Sequence, residues 1–84
     1  MYYEINVALN GRHFFATAKR SITDAAELRD VFKVLDAKFP ESEGYHLSIS
    51  YHSETGFGIG AQSLRTAIQS EGTREIHKLF EPRR

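Results

Sequence analysis

Three glycines at alternate positions, Gly56, Gly58 and Gly60, are the feature of this chain that most suggests binding chemistry. A glycine loop before a helix can bind phosphate, because backbone N–H groups approach the anion and the helix N-terminus favours negative charge. The spacing matches neither the dinucleotide fingerprint nor the Walker loop, and no lysine follows where a P-loop needs one. We therefore interpret this segment as a bend or a weak edge strand where another backbone passes closely, and we expect no cofactor.

Histidines are the next candidates, because the chain has four of them and no cysteine. His46 and His52 fall on one side of a predicted strand, but about 20 Å apart along it, so they cannot share one metal ion. His13 lies in another segment, and three ligands with a supporting carboxylate are not apparent, so we expect no metal site. A Ser–His–acid arrangement is equally absent from the pattern, and the acidic residues fall in loops or on the exposed side of a predicted helix. We expect no catalytic residue.

The elements that position these residues begin with a hairpin over residues 1–20. Asn10-Gly11 predicts a two-residue type I′ turn, because both central positions of that turn need positive φ. Strict alternation away from the turn pairs Val7 with Phe14 and leaves Phe15 on the opposite face. The apolar face then carries Tyr3, Ile5, Val7, Leu9, Phe14 and Ala16.

A helix and a third strand follow the hairpin. The helix is expected within residues 21–41, with Thr23 or Asp24 as its N-cap and Pro40 as its stop. The clean alternation of "YHLSISYH", residues 45–52, predicts a strand. Residues 61–84 are expected to add one or two short helices. The sequence thus predicts a small α+β fold of order β-β-α-β, with a weak fourth strand as an option and one sheet face covered by a helix. The helix stripe that covers it is Ala25, Leu28, Phe32, Leu35 and Phe39.

Length and charge limit the function classes. A chain of 84 residues is expected to form one domain over 1–84, and its formal net charge of zero argues against a dedicated nucleic-acid binder. No apolar run reaches the roughly 20 residues of a membrane span. The N-terminus lacks the basic start of a signal peptide, so a cytoplasmic protein is expected.

The uncovered face of the sheet is the remaining candidate site, because it presents aromatic and histidine side chains. We expect a non-enzymatic domain that binds another protein or a second copy of itself, as accessory or inhibitor proteins of phages and plasmids do. Single-stranded nucleic acid stacking on the aromatic residues is the alternative, and no membrane partner is expected. The predicted interaction surface consists of Tyr2, Arg12, His13, Phe15, His46 and His52.

Overall fold

The chain folds into one antiparallel sheet with helices, as the sequence predicts. The computed structural model describes residues 1–53, 57–69 and 73–80. Its strands are β1 (Tyr2–Leu9), β2 (Arg12–Ala16), β3 (Tyr45–His52) and β4 (Phe57–Gly60), in the spatial order β2-β1-β3-β4. Its helices are α1 (Ala25–Lys38), α2 (Ala61–Gln69) and α3 (Thr73–Lys78), with a 3₁₀ turn at Glu41–Glu43.

The first hairpin turns where the sequence predicts. Asn10 and Gly11 both have positive φ, at 50° and 83°, as a type I′ turn requires. The turn pairs Leu9 with Arg12, and the next pair follows the same register. The register then shifts, because Phe14 is an extra residue on β2 and Val7 pairs with Phe15. This is a β-bulge, in which two residues of one strand oppose one residue of its partner.

Helix α1 begins and ends at the predicted signals. Asp24 is its N-cap, and the Asp24 carboxylate accepts a hydrogen bond from the Glu27 backbone N–H at 2.8 Å. Glu27 in turn accepts bonds from the backbone and hydroxyl of Thr23, at 3.3 and 3.0 Å. Phe39 is the C-cap, directly before Pro40, whose ring prevents continuation of the helix.

The core lies between the sheet and all three helices. Within it, β1 contributes Ile5 and Val7, and β3 contributes Leu47 and Ile49, all completely buried. The helices cover this one face of the sheet with Leu28, Phe32, Ala61, Leu64, Ala67 and Ile76, followed by Phe80 after α3. Helix–sheet packing buries apolar area on one side only, which an antiparallel sheet tolerates.

Two features of the packing were not predicted. Ile22, in the link before α1, is 2 % exposed, and its carbonyl accepts a hydrogen bond from the backbone N–H of Tyr3 at 2.8 Å. Gly44, between the 3₁₀ turn and β3, has φ of 93°, and a Cβ built there would collide with the side chain of Asn10. Glycine is favoured at that position because φ is positive there, and a side chain would also displace the side chain of Asn10. Within the described segments, no helix is long and apolar enough to cross a membrane.

Candidate functional site

The outer face is the side of the sheet that points away from the three helices. The strand registers place on it Tyr2, Glu4, Asn6, Ala8, His13, Ala16, His46, Ser48, Ser50, His52, Gly58 and Gly60. None of these residues is buried, whereas the buried residues of the described helices all belong to the core on the opposite side. Among the described residues, the outer face is therefore the side of the sheet that no helix covers.

A stacked ring pair stands at one end of the outer face. Tyr2 and His52 are directly opposite each other on β1 and β3, with ring centroids 4.6 Å apart and an interplanar angle of 9°. The Nε2 of His52 also lies 3.4 Å from a carboxylate oxygen of Glu4. Cross-strand pairs of this kind stabilise a sheet and hold both rings in one orientation. This end offers a fixed aromatic surface beside a single carboxylate.

Two further histidines stand at the other end of the outer face. His13 on β2 and His46 on β3 both pair with Ala8 on β1, so one small side chain lies between them. Both histidines are exposed. Among the described residues, no group of three or more histidine or carboxylate side chains could hold a metal ion.

The centre of the outer face is made of small polar residues and glycine. Ser48 on β3 lies between Asn6 on β1 and Gly60 on β4, and Ser50 lies between Glu4 on β1 and Gly58 on β4. The Asn6 amide lies 3.4 Å from the Ser50 hydroxyl and donates to it. The centre is consequently a shallow floor of hydroxyl, amide and backbone groups between two ends that carry rings.

The structure brings together four of the six predicted interaction residues. Tyr2, His13, His46 and His52 share the outer face, as predicted. The predictions that Phe15 faces outward and that Ala16 faces the core are both wrong, because the bulge puts Phe15 opposite Val7, on the core side, and Ala16 opposite Asn6, on the outer face.

Arg12 also lies apart from the outer face. It is exposed beside the turn and pairs with Leu9. Strand alternation points its side chain away from the side that carries His13.

The two phenylalanines of β2 form part of a separate aromatic cluster. Phe15 lies 5.4 Å from Phe14 and 5.2 Å from Phe39, measured between ring centroids. Phe39 continues the cluster to Tyr45 at 5.1 Å. With strict alternation the two phenylalanines would point to opposite faces of the sheet. The bulge instead lets both rings contact Phe39 at the end of α1.

Residues 57–60 of the glycine segment form an edge strand, one of the two alternatives, a bend or a strand, that the sequence analysis gives for it. β4 pairs with β3 in an unbroken register and runs directly into α2, so residues 57–60 leave no loop in front of the helix. A phosphate-binding loop needs free N–H groups before a helix, and the 57–60 segment does not provide that layout. Gly56 lies outside the described residues.

A buried tyrosine and a histidine form a side-chain contact between the sheet and α3. The Tyr3 hydroxyl lies 2.6 Å from Nδ1 of His77, and Tyr3 is 2 % exposed. Burial, followed by the nearby Tyr51 and Asp24, raises the pKa of Tyr3 to about 12. A tyrosine with a raised pKa is a poor proton donor or nucleophile at neutral pH. We interpret the pair as a structural link between β1 and α3.

An open groove of about 300 Å³ lies between α1 and α2. Phe32, Ala37 and Ile68 provide its apolar lining. At its edge, Arg65 binds Asp36 through two hydrogen bonds of 2.9 and 2.7 Å. These contacts hold α2 against α1.

The same arginine is also bound to the 3₁₀ turn. Arg65 donates to Glu41 at 3.0 Å. The hydrogen bond to Asp36, more than the one to Glu41, raises the pKa of the Arg65 guanidinium further above its ordinary range, against the lowering effect of burial. Because its charge is balanced by carboxylates, Arg65 is a poor receptor for an anionic ligand.

Comparison with known proteins gives no relative, since no family model, curated protein or solved structure shows a significant match to this chain.

Proposed function

We propose that the chain is a non-enzymatic protein-binding domain whose binding surface is the outer face of the sheet. The observation that carries this proposal is the division of the sheet into two sides. One side packs against every described helix, and the other side presents the Tyr2–His52 ring pair and two more exposed histidines, with no described helix over them. Aromatic side chains are typical anchors of protein interfaces.

The residues of this surface favour binding over catalysis. Its aliphatic hydroxyl groups belong to Ser48 and Ser50, and the histidines lie at the two ends of the face. The Ser50 hydroxyl accepts a hydrogen bond from the Asn6 amide, which cannot act as a base. Activation of a serine requires such a base within hydrogen-bond reach.

Single-stranded nucleic acid is the alternative ligand, and the position of Phe15 weakens it. An aromatic stacking platform would have used that ring together with Tyr2, but Phe15 packs on the core side. The formally charged residue of the outer face at neutral pH is the acidic Glu4, which would repel phosphate. A protein partner fits this charge better.

On this proposal the domain acts in the cytoplasm as an accessory or inhibitory protein that works by contact. Site-specific photo-crosslinking in a lysate of the source cells tests it. A photoreactive amino acid is placed at His46, which is exposed on the outer face, and in a control variant at Ser63, which is exposed on α2. We expect protein adducts from position 46 that survive nuclease treatment and are absent from position 63.

Equal yields of adducts at the two positions would contradict the proposal, because they would show non-specific contact. Adducts at position 46 that disappear with nuclease would support the nucleic-acid alternative. Mass spectrometry of the adducts identifies the partner in the first case.

A further inference from the structure

The two glycines of β4 are not required by the fold of the chain itself. Gly58 and Gly60 do not have the positive φ values that are found at Gly11 and Gly44. A Cβ at Gly60 would meet nothing within 4 Å, and a Cβ at Gly58 would come no closer than 3.5 Å to the carbonyl oxygen of Ile49, an ordinary contact. The β3–β4 register contains no bulge. Both positions could therefore hold a side chain.

Glycine weakens a strand, so two of them in a four-residue edge strand need a reason. A strand glycine that marks neither a bulge nor a bend is typical of a place where another backbone approaches closely. Strand pairing puts Gly58 beside Ser50 and Gly60 beside Ser48, on the outer face. The approach is thus expected from outside the molecule, onto that face.

We infer that the outer face is the contact surface of a symmetric dimer, in which two copies of this chain pack their sheets face to face. The inference rests on the proposed function, since it names the partner that the protein-binding face receives. Serine hydroxyls and the asparagine amide both donate and accept hydrogen bonds. The central floor of Asn6, Ser48 and Ser50 is accordingly complementary to a copy of itself, as a two-fold interface requires.

The size of the face fits a weak, reversible dimer. The four strands contain 8, 5, 8 and 4 residues. At the usual strand rise and spacing they present a projected area of about 400 Å². Stable specific interfaces bury about 800 Å² per partner, and transient ones bury less. Small residues in the centre compensate in part, because they let the two backbones approach each other.

Sedimentation velocity of the purified full chain tests the inference, over about 10 µM to about 1 mM protein at about pH 7.5. We expect the mass to rise from the 9.6 kDa of one chain toward twice that value. Ser48→Arg, at the centre of the face, should raise the dissociation constant at least about tenfold. Ser63→Arg, the same substitution on the exposed surface of α2, should leave it unchanged.

If Ser48→Arg unfolds the chain, Gly58→Thr provides a second test of the same inference. A threonine suits a strand, and the fold has room for its Cβ. The thermal midpoint should therefore hold or rise while dimerisation weakens, a combination that a merely structural role of Gly58 would not produce.

Three results would overturn the inference: a monomer at every concentration, a dimer that persists in both Ser48→Arg and Gly58→Thr, or an association that nuclease abolishes. A monomer that still forms protein adducts from position 46 in lysate would end the inference and leave the proposed function standing.

Discussion

The bulge in β2 makes a quantitative prediction about two adjacent phenylalanines. Phe15 pairs with the fully buried Val7 and packs against the core, whereas Phe14 remains 53 % exposed. Replacing a fully buried phenylalanine with alanine costs about 3–5 kcal/mol of unfolding free energy. Because Phe15 is only partly buried, we expect Phe15→Ala to cost about 2–3 kcal/mol. Phe14→Ala removes a half-exposed ring and should cost about 1 kcal/mol.

Urea unfolding followed by circular dichroism measures both costs, and each variant is the matched control of the other. For a chain of this size an m-value of about 1 kcal/mol per molar urea is expected, so the two midpoints should differ by more than about 1 M. The protein is kept at low concentration so that self-association does not contribute to the apparent stability. If Phe14→Ala cost as much as Phe15→Ala or more, β2 would follow uninterrupted alternation and the bulge would be wrong.

Three further substitutions test other contacts of the fold. Gly44→Ala should lower the unfolding free energy by about 1–3 kcal/mol in thermal or urea unfolding, because φ there is positive and the new Cβ would meet Asn10; an unchanged midpoint would contradict this. Tyr3 has a pKa raised to about 12, so its contribution to stability is present below about pH 10 and is lost as the pH rises toward about 12. Tyr3→Phe should therefore flatten that part of the stability profile and remove the last step of the ultraviolet tyrosine titration. Arg65→Lys should cost about 1 kcal/mol in urea unfolding, because lysine cannot form both hydrogen bonds to Asp36, and an equal stability would show that the pair is only a surface contact.

Local rules predicted most of the fold because its elements carry strong local signals. The Asn10-Gly11 turn, the alternation of residues 45–52 and the stop at Pro40 each depend on backbone sterics or on period, and the structure confirms each of them. The placement of Phe15 failed for a different reason. The bulge is favoured by contacts with Phe39, which lies 24 positions further along the chain, and no local pattern contains that information.

The candidate site was partly predictable for the same physical reason. Tyr2, His46 and His52 belong to strands in which the alternation is unbroken. Their common face therefore follows from the two-residue period of a strand. His13 lies on the predicted outer face because it stands between the turn and the bulge, where the register set by the turn still applies. Residues beyond the bulge could not be placed without knowledge of what packs against them.

The glycines of β4 show how a local weakness can indicate function. From the sequence, glycine at alternate positions predicts a bend as readily as a strand, because it suits neither element. In the structure the strand forms because Ile59, between the two glycines, pairs with the buried Ile49 and packs against the core. The core therefore accounts for the apolar residue of β4 and leaves Gly58 and Gly60 unexplained. Departures from local preference that the fold does not require are expected at functional surfaces, which is why the outer face, and not the groove beside Arg65, is the surface on which a partner is expected.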